Sequence, residues 1–227
     1  MTRQIFLDTE TTGLYPDHGH RIIEIAAIEV INRRPTGNHF HKYLNPEREI
    51  DSAAQEVHGI TLEFLQDKPL FNAIASDFIQ FIKGAELIIH NAPFDVGFLN
   101  SELGRIGLQT VSALCDKITD TLKMAKDARP GQRNNLDALC RNYGIDNARR
   151  TLHGALLDAE LLAEVYMAMT RGQESLMMDL AHQETAVNAV VGAENQAPLK
   201  ILLANEEEQK AHETYLQGLA KTGVLPW

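Results

Sequence analysis

Apolar residues follow two rhythms along this chain, and the change between them marks out its elements. Gln4 to Leu7 reads as a short buried strand that leads into Asp8, and the Thr-Gly cluster at 11 to 13 ends it. Residues 21 to 31 form a long β-branched run, and 38 to 44 follows after a turn predicted at Pro35 to Gly37, which gives a three-strand meander. Three- and four-residue spacing then takes over. Leu70, Phe71, Ile74, Phe78, Phe81 and Ile82 predict a helix over 70–83, and Glu86 to His90 reads as another buried strand. Further helices are expected at 93–106, about 118–127, 134–142 and 154–170, with Asn134 or Asn135 capping the third of these. Strands first and helices later on a mixed sheet predict an α/β or α+β domain over residues 1–172. Beyond Gly172 the amphipathic spacing lapses. Residues 181–198 read as a linker, Leu199 to Ala204 as a strand and 206–221 as a polar helix. Such a piece buries too little surface to stand alone and is expected to dock on a partner or fold back.

Charge narrows the functional classes. The 227 residues hold 21 Lys and Arg against 31 Asp and Glu, a formal charge of -10. Binding of nucleic acid by bulk positive charge is therefore excluded, since that mode needs a surplus of cations. A local basic stretch survives, because residues 117–150 carry eight Lys and Arg against four Asp and Glu; it serves either a solvated face or a phosphate backbone. No apolar run approaches the roughly 20 residues of a membrane helix, and the first residues lack the pattern of a secretory signal, so a cytoplasmic protein without membrane contact is expected. Cys115 and Cys140 are too few and too isolated for a disulfide framework or a zinc site.

Carboxylates stand where apolar residues belong. Asp8 and Glu10 lie two apart at a strand end, on the face that Phe6 also occupies. Asp158 precedes Leu161, Leu162 and Val165 on the buried stripe of its helix, and Asp95 relates in the same way to Phe98, Leu99 and Leu103. Buried acids are costly unless paired, neutralised or bound to a metal. Each has an individual alternative: Asp95 as a helix-dipole partner, Asp158 paired with a buried Arg, Asp8 and Glu10 at a solvated strand end. Jointly these need separate coincidences, and a divalent cation is the more economical account, with oxygen ligands suiting Mg²⁺ or Mn²⁺. His153, just ahead of the Asp158 helix, is placed to act as a general base on a water there.

Three motifs, Asp8-Thr-Glu-Thr-Thr-Gly13, His90-Asn-Ala-Pro-Phe-Asp95 and His153-Gly-Ala-Leu-Leu-Asp158-Ala159, resemble in order and spacing those of the DEDDh family of 3′-to-5′ exonucleases. Ile22-Ile-Glu-Ile25, Val57-His-Gly-Ile60, Asn135 to Cys140 and Arg150 to His153 extend the likeness to members that proofread for bacterial replicative polymerases. It covers about residues 3–172. The resemblance implies an RNase H-like exonuclease fold and two divalent cations. Asp8, Glu10 and Asp158 would hold the first, Asp8 would touch the second, and Asp95 would hold the second through water. His153 would take the proton of the attacking water. Thr11, Gly13, Leu14, His58 and Phe94 would line the pocket for the terminal nucleotide together with Asp8, Glu10 and Asp158, Phe94 serving equally well as core. One departure is Ala53, where the family often has Glu.

Past the catalytic domain, Gln173 to Met178 resembles a short sliding-clamp peptide, within 173–180. The segment 199–227, ending in Trp227, resembles in layout the tail that docks on the polymerase (alpha) subunit, and a small accessory subunit is a further expected partner. The same chemistry on RNA remains an alternative, as does a non-catalytic bridge between polymerase and clamp.

Overall fold

A computed structural model describes residues 2–150, 152–171 and 205–221. The chain divides into two compact units, Met1–Leu176 and Met177–Trp227. In the second unit the described element is a helix, Glu206–Lys221, whose first turn carries Glu206, Glu207 and Glu208, acids that suit a helix N-terminus. The expected clamp peptide, linker and strand at 199–204 lie outside the described residues.

The first unit is built on a five-stranded sheet in the order β3-β2-β1-β4-β5. Strand β1 (Arg3–Thr11) is its centre. It pairs antiparallel with β2 (Ile22–Ile31), which pairs antiparallel with β3 (Arg34–Tyr43). On its other side β1 runs parallel to β4 (Glu86–Ile89), and β4 parallel to β5 (Lys117–Asp120). The meander is the one expected, but its second turn lies earlier than Pro35 to Gly37. Ile31 pairs with Arg34, so Asn32 and Arg33 make a two-residue reversal, both at positive φ (48° and 63°). Those angles match the twist of the flanking strands and suit Asn.

Alternation along β1 sends its side chains to two cores. Ile5 and Leu7 join Ile25, Phe78, Phe98 and Leu99 on one face, where α3 (Phe71–Ile82) and α4 (Ala92–Arg105) pack. Phe6 joins Ile88, Leu139, Leu161 and Leu162 on the other, covered by α7 (Leu136–Tyr143) and α8 (Ala155–Met169). Shorter helices are α1 (Ser52–His58), α2 (Leu62–Leu65), α5 (Val111–Leu114) and α6 (Thr121–Ala128). The helix expected from residue 118 is instead a strand followed by a helix. Asp120 ends β5 and caps α6, its carboxylate accepting from the amides of Leu122 and Lys123. Among the described residues no helix is long and apolar enough to cross a membrane.

Candidate active site

In open α/β sheets ligands bind beyond the carboxyl ends of parallel strands, and here that edge collects the acids. Asp8 and Glu10 close β1. One step along the sheet, β4 ends at Ile89 and turns sharply through Asn91, which sits in the left-handed region (φ 67°) directly before α4. That tight turn brings Asp95, in the first turn of α4, back beside β1, where Thr9 Oγ1 donates to Asp95 Oδ1 at 2.6 Å. From the opposite face α8 begins at Ala155, placing Asp158 in its first turn and His153 just ahead. Asp8, Glu10, Asp95, His153 and Asp158 thus line one cleft of about 290 Å³, with Phe94, His90, Asn135, Asp137 and Arg150.

The charges in this cleft are out of balance. Burial pushes the Glu10 carboxyl up to about 8, and the negative charges of Asp158, Glu24 and Asp95 push the same way. Asp95 is pushed up to about 7, burial again leading, against the hydrogen bond from Thr9. Asp8 is raised well above the usual carboxylate range by burial and by the charges of Asp95, Glu10 and Asp158. These are groups held where ionisation is opposed, the signature of a site awaiting positive charge. Glu10, His153 and Asp158 each offer a ligand atom, all within 4.8 Å of one another, and Asp8 and Asp95 border the same space. The donor set fits a divalent cation.

Arg150 supplies the cleft's own positive charge. Its Nε donates to Asp158 Oδ1 at 2.5 Å, its Nη2 to Asp158 Oδ2 at 2.6 Å, and its Nη1 to Asp137 Oδ1 at 2.9 Å. Nη2 also lies 3.0 Å from His153 Nδ1. The His153 imidazole is lowered from its ordinary value by burial and by the neighbouring guanidinium, with Asp158 opposing. Its backbone is anchored independently, the His153 amide donating to Val57 O at 3.1 Å.

The remaining candidates flank the cleft. Thr11 is buried, its hydroxyl donating to Gly13 O at 2.7 Å. A Cβ on Gly13 would meet the His20 ring at 2.3 Å and Asp51 Oδ2 at 2.7 Å, so only glycine fits that turn. Leu14, just beyond, is 65% exposed. His58 is buried at the end of α1, its Nδ1 accepting from the Ile60 amide at 3.0 Å, and burial lowers its imidazole. Phe94 lines the cleft while its ring lies tilted against Phe98, centroids 5.0 Å apart. Ala53 is exposed on α1. Asp137 and Thr9 carry no distinguishing pattern in the sequence, and Arg150 stands out there only as part of a motif. The one available signal was that an Asp on the buried stripe of a helix requires a cation nearby.

Residues 5–166 match the RNase T family model, whose description is exonuclease. The DNA polymerase III subunit epsilon of Pasteurella multocida is 53% identical, over 97% of this chain and 90% of that protein. The chain belongs to the DNA polymerase III epsilon-subunit family. As a member it is a 3′-to-5′ proofreading exonuclease. Solved exonucleases share the architecture. Exonuclease X, in complex with 5′-overhanging duplex DNA, is 25% identical with a TM-score of 0.57, covering 76% of this chain and 92% of its own. Zinc-bound Escherichia coli exonuclease I with single-stranded DNA is 19% identical with a TM-score of 0.68, over 82% of this chain and 45% of its own, a likeness of fold. The epsilon family's RNase H-like exonuclease fold thus accounts for the mixed sheet and for a site at the end of its central strand.

Proposed function

We propose that this protein removes mispaired nucleotides from DNA 3′ ends through the cleft at the end of β1. The observation that carries this is the convergence of four carboxylates and one imidazole from three distant chain segments. Asp8, Glu10 and Asp158 would hold one divalent cation, Mg²⁺ or Mn²⁺, while Asp95, with Asp8, would serve a second. Bound there, such ions would activate the attacking water and stabilise the leaving 3′ oxygen. The chain's own groups do the rest. His153, on the rim and neutral near pH 7, takes the proton of the water and passes it to solvent, since its side chain is 46% exposed. Leu14 and Phe94 give the terminal base an apolar surface, and Thr11 and Gly13 fix the turn that carries Leu14. Because a frayed end costs less to unpair, a cleft that takes single strands already favours errors.

The polymerase subunit is the proposed partner of 199–227, the sliding clamp that of Gln173 to Met178, and a small accessory subunit a third, all in the cytoplasm. Tethering would raise the effective concentration of an acidic enzyme at its DNA. Hydrolysis of a mispaired DNA 3′ end should be compared with that of short RNA; strong preference for RNA sinks the DNA reading. Copurification of the full chain, and of a version ending at residue 180, with the polymerase subunit tests the tail: only the full chain should be retained.

A further inference from the structure

Within β2, apolar but for two glutamates, Glu24 is 98% shielded from solvent and has no part in the chemistry above. It is the direct cross-strand partner of Glu10, so the two side chains share a face. Two acids in register inside a core are unfavourable, and an apolar residue of similar size would stabilise this position at least as well. The surroundings of Glu24 show what the carboxylate does instead. Its Oε1 lies 2.7 Å from His41 Nε2 on β3. Tyr43, its neighbour in register on β3, shares that face, and burial together with the Glu24 charge pushes the phenol up to about 12. The other oxygen, Oε2, accepts from the amide of Ala155 at 3.2 Å.

Ala155 is the first residue of α8, and the preceding Gly154 provides no side-chain cap. The first amides of a helix need acceptors, and an acid near them also complements the helix dipole. Glu24 therefore acts as a cap delivered from another strand. That bond ties the start of α8 to the sheet, three residues before Asp158 and two after His153. From this geometry we infer that Glu24 is a positioning residue: it pins the start of α8 to the strand beside Glu10, and so fixes Asp158 and His153 relative to Glu10. This rests on the reading of those three as the metal and base groups.

The test uses the full-length protein, with Mn²⁺ binding measured by calorimetry and kcat and KM measured on a single-stranded DNA 3′ end at saturating Mn²⁺. Wild-type hydrolysis checks the proposed function separately, and Mn²⁺ binding is read without turnover. Glu24→Ala should weaken Mn²⁺ at least 10-fold and lower kcat at least 10-fold, with KM for DNA within twofold. Glu24→Gln should return both to within about threefold of wild type, because its amide oxygen still accepts from Ala155 while its NH₂ takes the place of the oxygen beside His41 Nε2. Should the alanine variant fail to fold, Glu24→Met, which fills the space, carries the same expectation. Wild-type Mn²⁺ affinity and kcat in a folded alanine or methionine variant would overturn the inference. So would a glutamine variant as poor as these, since the charge and not the bond would then matter.

Discussion

Arg150 grips Asp158 with two prongs, Nε to Oδ1 and Nη2 to Oδ2 at 2.5 and 2.6 Å, both side chains being about 95% enclosed. Burial opposes the guanidinium's charge, but the hydrogen bonds and charge of Asp158 outweigh it and raise its pKa. Both oxygens of a proposed metal ligand are thus occupied by a side chain of the same protein. Removing one partner of a buried ion pair leaves the other uncompensated, typically at about 3–5 kcal/mol. Arg150→Ala should destabilise the metal-free protein by that order in urea unfolding, and saturating Mn²⁺ should raise its Tm more than that of wild type. An equal Mn²⁺ gain in the two proteins would show that Arg150 and the cation do not compete for Asp158.

Stability without metal should fall as pH rises from about 7.5 to 8.5. His58, His90 and His153, whose ordinary value of 6.5 is lowered on folding, have largely lost their protons in both states there. Asp95 and Glu10 titrate near 7 and 8 when folded, against 3.8 and 4.5 ordinarily, and Asp8 is raised as well. The folded state therefore holds protons that the unfolded chain has already lost, and stability declines with pH. Thermal unfolding in EDTA checks this, and Mn²⁺ should abolish the decline. A Tm in EDTA that rises across this window would contradict it.

Asp95→Asn separates stability from function. Losing a carboxylate whose charge is opposed chiefly by burial should stabilise the metal-free protein at pH 8 by about 1–2 kcal/mol, the usual yield of relieving a strained functional site. The same change should lower nuclease activity at least 100-fold. Paired unfolding and nuclease assays decide, and loss of both would place Asp95 in the structural core alone.

His153→Ala should reduce kcat by about 10²–10⁴ with little change in KM for DNA. In the wild type, rate should fall on the acid side as His153 protonates, with a midpoint below 6.5 because burial and Arg150 lower its pKa. That acid limb should vanish in the variant. If it persists, another group carries it.

What the amino-acid sequence revealed, and what it hid, divides along physical lines. The central strand, the long helices and the five acid and imidazole residues were legible because each rests on a local pattern: alternation, apolar stripes, or charge in the wrong place. Strand β5 was not, since Lys-Ile-Thr-Asp is four residues long, part-exposed, and held by pairing with β4 rather than by its own preference. Helix α1 was missed for a similar reason, seven residues with a single buried side chain, His58. Asp137 and Glu24 gave no sign of their partners, because Arg150 and Ala155 meet them only after α7 and α8 have packed. Ion pairs between distant segments are properties of the packed layers.

The proposed reactive groups come from residues 8 and 10, 95, and 153 and 158, arriving from the centre and from both faces of the sheet. A chain still emerging from the ribosome, or clipped before residue 153, lacks the proposed base and one of the proposed acids together. On the proposed roles, chemistry on nucleic acids is thereby withheld until the last layer of the domain has closed.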